Sequence, residues 1–284
     1  MENINKRIAE IFPEMSKSYQ KIAKYILENP NTVPFLTADK LAKVVGVGHA
    51  TVIRFATYLG YSGYPELHHE LQNNAQRQLT STEKFALSKK VYVDEDQAVY
   101  DIFLGDIENV KATIEKLDMD SFKKAVEALV KGKNIYIVAN RSATALGVFL
   151  QYYLQFILEK VELIHLIENA SEHLYDLSKE DVVVGISFAR YAKSTVQVLS
   201  YAKKREATTI AITDNLLSPL IPHAAIVLTA NSQMLSFIES LVAPFSLINA
   251  LIVAVAKARQ TNFQDKLVLL EDIWENLDVF YKKE

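Results

Sequence analysis

The chain has 284 residues, half of them apolar and 23% charged. It can bury the core of one large domain or two ordinary ones, and it lacks the composition of a disordered protein. It contains no cysteine, which excludes a disulfide scaffold, thiol catalysis and thiolate metal sites. The net charge of −3 is uneven: residues 1–79 hold nine Lys and Arg against seven Asp and Glu, and the remainder 22 against 27, a small bias toward an anionic partner for the N-terminal part.

The opening MENINKRIAEIF carries no apolar block behind its charges, so no secretory signal is expected. From Asn3 to about Arg77 the apolar residues keep helical spacing. Ile4, Ile8, Ile11 and Phe12 predict a short helix ended by Pro13, and Ile22, Ala23, Ile26 and Leu27 a second, from a Ser18 cap to Asn29. TADKLAKVV, GVG and HATVIRFATYLG then predict a short helix (37–45), a glycine turn (46–48) and another helix (49–59), which together make a helix-turn-helix. ELHHELQNNAQRQL reads as a further helix. Its adjacent His68 and His69 point apart and do not form an i,i+4 metal pair.

Residues 78–94 are polar and weakly periodic, and are expected to be a linker between a helical domain (1–77) and a second domain (95–284). In that second part, helices through Ile102–Ile114 and SFKKAVEALVKG lead into five short apolar runs separated by helices: NIYIVA (134–139), VELIHLI (161–167), DVVVGIS (181–187), TTIAITD (208–214) and AAIVLTA (224–230). Runs apolar almost throughout, alternating with helices, predict a doubly wound parallel sheet covered on both faces, an α/β/α domain. The longest uncharged stretch, LVAPFSLINALIVAVA (241–256), has 16 residues against the roughly 20 of a membrane span, and reads as a buried core or interface helix. A soluble, cytoplasmic protein with no membrane partner is expected.

In the helix-turn-helix, Gly46 can take positive φ and turn the chain sharply. Val52, Phe55, Ala56 and Leu59 form the inward stripe of the second helix, leaving Gly48, His49, Thr51, Arg54 and Tyr58 as candidate DNA contacts at its start and on its outer face. Arg54 suits a guanine edge or a phosphate. By spacing alone, this face serves equally as the polar side of any helical bundle.

The stretch LAKVVGVGHATVIRFATYLGYSGYPEL resembles the helix-turn-helix of the RpiR/MurR transcriptional regulators, through Leu41, Ala42, Val47, Thr51, Val52, Arg54, Phe55, Leu59, Gly60, Tyr61, Gly63 and Tyr64. Gly48 stands where that family usually has a capping serine. The resemblance implies an operator-binding regulator with a sugar isomerase (SIS) domain after the linker, and residues 105–258 resemble one. It further implies a homodimer or higher homo-oligomer on a palindromic operator, and a small anionic ligand such as a sugar phosphate.

Ligands of open parallel sheets bind at the carboxyl ends of strands, against helix N-termini. Two loops qualify, VANRSAT (138–144) and SFARYAKST (187–195), which offer Asn140, Arg141, Ser142, Ser187, Arg190, Lys193 and Ser194 as candidate ligand contacts. SIS domains usually have a glycine-rich first loop and several hydroxyls in the second. Here Val138 and Asn140, Ala189 and Ala192 replace them, and arginines are added. Arg190 either rebuilds an anion site bidentately or serves structure or an interface. Glu168, His173 and Glu239 are the carboxylates and imidazole that could act as acid or base. With no recognised catalytic pattern, no catalytic residue, cofactor or metal ligand is assigned and an enzyme is not expected.

Overall fold

The computed structural model describes residues 4–30, 32–76, 80–92, 94–164, 170–234 and 236–281. By contacts the chain divides into two compact units, Met1–Glu108 with Gln233–Ser240, and Asn109–Ser232 with Leu241–Glu284.

The first unit is helical. Helix α1 (Ile4–Ile11) passes into a 3-10 turn at Phe12–Glu14, where Pro13 ends it, and α2 (Lys17–Glu28) follows. The cap of α2 is Ser16, not the expected Ser18. Ser16 is the extended residue left by the proline turn, at φ −60° and ψ 157°, and its hydroxyl accepts from the Tyr19 amide at 3.4 Å. Helices α3 (Ala38–Val45), α4 (His49–Tyr58) and α5 (Tyr64–Gln76) complete the bundle around Ile8, Ile22, Ile26, Leu41, Val52, Phe55 and Leu67. The buried Tyr64 hydroxyl donates to the Leu36 carbonyl at 2.6 Å, locking α5 to the residues before α3.

The segment expected to be a linker is mostly helix, α6 (Ser81–Val91). A capping box starts it: Thr80 Oγ1 accepts from the Glu83 amide (3.2 Å), and Glu83 Oε2 accepts from the Thr80 amide (2.7 Å). Its apolar periodicity is weak because two of its buried positions are polar. Lys84, 2% exposed, is paired with Glu239 at 2.6 Å, and Ser88 is buried beside it on the same helix. The boundary between the units also differs from the expected break at 94/95, and falls inside α7 (Glu95–Glu115) at Glu108.

The second unit is the expected α/β/α sandwich. After α8 (Met119–Lys131) come β1 (Ile135–Ala139), α9 (Thr144–Ile157), β2 (Val161–Ile164), α10 (Ala170–Leu174), β3 (Val182–Ile186), α11 (Lys193–Lys204), β4 (Thr208–Thr213), β5 (Ile226–Thr229), α12 (Val242–Ala258) and α13 (Gln260–Asn276). All five strands are parallel in the order β2-β1-β3-β4-β5, with Ile137 opposite Val184 and Val184 opposite Ile210. β1 and β3 are buried throughout, and side chains from alternate positions feed two cores. Ile137, Val184 and Ile210 meet α8, α9 and α12; Val138, Val183 and Ala211 meet α10 and α11. The stretch expected as a core or interface helix is α12, which buries Leu247, Ile248, Leu251 and Val255. Among the described residues, no single helix is long and apolar enough to cross a membrane.

Candidate DNA-recognition helix and ligand loops

The turn between α3 and α4 forms as its glycine predicts. Gly46 is left-handed (φ 70°), and the Val47 amide donates back to the Ala42 carbonyl at 3.0 Å, closing the end of α3. Val52, Phe55, Ala56 and Leu59 are buried, so α4 presents its opposite face. His49, Arg54 and Tyr58 are exposed, and Thr51 is half-buried. Arg54 lies along the helix, its Nε donating to the Ala50 carbonyl at 3.2 Å, which leaves the rest of the guanidinium on the outer face. His49 Nε2 sits 3.7 Å from Asp39, and the Tyr58 ring packs 5.2 Å from that of Tyr19, so both are partly engaged within the bundle. Gly48 occupies the cap position at φ −74° and ψ 147° with no side-chain acceptor. Ile53, 39% exposed beside Arg54, lies on the same outward face and is a candidate that sequence reasoning passed over. Its only signal was an apolar residue outside the inward stripe, and such a side chain suits a thymine methyl.

In the second unit the strand order reverses between β1 and β3, and in open parallel sheets the carboxyl ends at such a point are where ligands are held. The two loops predicted to bind a ligand leave the sheet at that point. They are joined directly: Asn140 Nδ2 donates to Thr195 Oγ1 at 3.0 Å, across 55 residues of sequence. Thr195 is wholly buried, so this bond holds the first loop against the start of α11. Arg141 and Arg190 are exposed, one on each loop, and both take left-handed backbone angles, φ 58° and φ 63°. For a residue with a Cβ that conformation costs about 1–2 kcal/mol. Ser142 and Lys193 are exposed and Ser194 is half-buried. Ala192 stands at the cap of α11 without a side-chain acceptor, so the first amides of that helix have no cap from it and are suited to an anion. Ser187 is buried and uses its Oγ to accept from the Ala192 amide at 3.1 Å, so it shapes the turn.

A polar cluster not assigned from the sequence lies at the end of β4. Tyr191 donates its hydroxyl to Asp214 Oδ1 at 2.8 Å, and Asn215 Nδ2 donates to Asp214 Oδ2 at 2.9 Å. Thr213 Oγ1 lies 3.1 Å from Asp214 Oδ1 and 2.8 Å from Ser218 Oγ. Burial raises the Asp214 carboxyl above its ordinary value, opposed by the hydrogen bonds it accepts. Burial also raises the Tyr191 phenol, reinforced by the Asp214 charge. The sequence signal was the run TDNLLSP, polar residues immediately after a buried strand.

Two of the three acid–base candidates are paired with other side chains. Glu239 belongs to the first unit, paired with Lys84. His173 Nδ1 pairs with Glu162 Oε2 at 2.7 Å on the side of β2. Glu168 lies outside the described residues.

Residues 2–78 match the helix-turn-helix domain of the rpiR family, and residues 128–254 match the SIS domain. The chain is 29% identical over 283 residues to an uncharacterized HTH-type transcriptional regulator of Caldanaerobacter subterraneus, covering 96% of this chain and 97% of that one. The sugar isomerase domain of an RpiR transcription factor from Sphaerobacter thermophilus superposes with a TM-score of 0.59 at 25% identity, over 62% of this chain and 99% of that domain. The Vibrio vulnificus NanR protein, solved with ManNAc-6P, superposes over 97% of this chain and 99% of its own with a TM-score of 0.59 at 21% identity.

Proposed function

The chain belongs to the RpiR family of transcriptional regulators, and from that membership we propose that it binds operator DNA through α4 and adjusts that binding to a small anion, a phosphorylated sugar or a relative, held by the loops after β1 and β3. The observation that carries the ligand reading is the Asn140–Thr195 bond, which fastens the two loops at the switch point with Arg141 and Arg190 on them. Guanidinium groups hold phosphate bidentately and take over from the hydroxyls that Ala189 and Ala192 lack. That NanR was solved with ManNAc-6P supports a phosphorylated amino sugar among the ligands to try. A regulator working in this way acts on chromosomal DNA in the cytoplasm, and its role is sensing rather than turnover.

We read the working form as a symmetric homodimer on a palindromic operator, one recognition helix per half-site. An apolar groove of about 610 Å3, lined by Val148, Phe149, Tyr152, Tyr153 and Phe245 on α9 and α12, supports a second copy packing on the sheet domain. The deciding experiment is a thermal-shift screen with phosphorylated sugars and amino sugars, followed by operator titrations with each hit. A site occupied at 100 times its Kd adds about 2.7 kcal/mol of stability, and a panel that shifts nothing would remove the ligand half of this reading. Arg54→Ala should weaken operator binding and its salt dependence while leaving the oligomer intact. Unchanged affinity would show that α4 is not the reading helix.

A further inference from the structure

Arg190 is a bulky residue in a conformation that suits glycine, on an exposed turn, so the neighbouring structure must impose it. We propose that Tyr191 and Asp214 are a positioning pair that holds the Arg190 turn in its anion-binding form. This rests on the ligand reading above and adds two residues that act without touching the ligand.

The turn is closed at its base. The Ser187 amide donates to the Ile212 carbonyl at 3.1 Å, continuing the pairing of β3 with β4, and Ser187 Oγ accepts from the Ala192 amide at 3.1 Å. The first ties residue 187 to β4 and the second ties residue 192 to 187, so neither bond reaches the middle of the turn. Tyr191, next to Arg190, holds it through its bond to Asp214, the first residue after β4. Asp214 is 7% exposed, follows a strand registered on β3 at Ile186–Ile212, and is also held by Asn215. Its carboxylate therefore offers a rigid anchor. With Oδ1 engaged by Tyr191 and Oδ2 by Asn215, it already has its hydrogen bonds and is a poor candidate for holding a negative ligand itself. The pair couples the backbone of the arginine turn to the sheet, so that an anion need not order the turn as it binds.

The test uses the full-length protein and inorganic phosphate as the probe, titrated calorimetrically against variants of known thermal midpoint. Tyr191→Phe removes only the hydroxyl and should raise the phosphate Kd about tenfold, equivalent to roughly 1.4 kcal/mol. In an Arg190→Ala background the same substitution should change the Kd less than about twofold, because the pair acts through Arg190. Asp214→Ala should match Tyr191→Phe, whereas Asp214→Asn, whose amide oxygen still accepts from Tyr191, should recover most of the affinity. The proposal is overturned by an equal loss in both backgrounds, which is the mark of a merely structural role, or by a Tyr191→Phe protein that binds phosphate like the parent. Wild-type protein that takes no phosphate, or Arg190→Ala protein that binds it undiminished, would instead bring down the ligand reading beneath it.

Discussion

Gly48 stands at the cap of α4, where serine would be expected to help, and the geometry says what placing serine there should do. The residue is in extended backbone at φ −74° and ψ 147°, the conformation an N-cap requires, and a Cβ there would meet only Thr51 Oγ1 at an ordinary 3.6 Å. Gly48→Ser therefore introduces no strain. A serine cap improves on glycine by a few tenths of a kcal/mol. Restricting the unfolded chain adds roughly 0.4–1 kcal/mol, as in glycine-to-alanine replacements at compatible sites. Together these give about 1 kcal/mol, which for a unit of this size corresponds to roughly 3–6 °C in the unfolding midpoint. Two residues away the sign reverses. Gly46 has φ 70°, and nothing lies within 4 Å of an added Cβ, so Gly46→Ala should cost about 1–2 kcal/mol through the backbone alone. Scanning calorimetry on both variants checks the pair of expectations. A lowered midpoint for Gly48→Ser would mean that α4 does not begin where its backbone indicates.

Three further outcomes follow from the packing and the buried charges. Gly147→Ala would bring a Cβ to 2.7 Å from Ala139 Cβ and 2.8 Å from Leu163 Cδ1, and the overpacking should cost about 1–3 kcal/mol in urea unfolding; a neutral result would mean that α9 can move off β1. Lys84→Met strands the 13%-exposed Glu239 carboxylate without its cation and should lose about 3–5 kcal/mol, whereas adding Glu239→Gln should restore much of it; equal single and double losses would argue against the ion pair. Asp214 has its carboxyl raised in the folded state, so the folded chain keeps that proton to higher pH than the unfolded chain does. Its contribution to stability therefore falls as pH rises from about 3.8 through the raised folded value, and then levels off. Unfolding curves of wild type and Asp214→Asn should diverge over that window in the variant's favour, and parallel curves would refute the assignment.

Residues whose roles are local could be read directly. The five strands appear as apolar runs because helices cover both faces, and the turn of the helix-turn-helix appears because one glycine must be left-handed. Ser16 and Ser18 show the limit of local reading: both are good caps, and the proline turn before them chose between them. The rest depended on partners far along the chain. Lys84 made α6 resemble an exposed linker because a lysine normally marks a solvated face, and its partner lies 155 residues on. Asn140 and Tyr191 were readable as loop residues, but not that they close on Thr195 and Asp214, 55 and 23 residues away. The arginine loops follow the same logic. An arginine in a left-handed turn gives no pattern of its own, since the conformation belongs to the anchors around it. The same dependence makes the site economical to test, because a single hydroxyl on Tyr191 can be removed while the arginine, the strand and the helix are left in place.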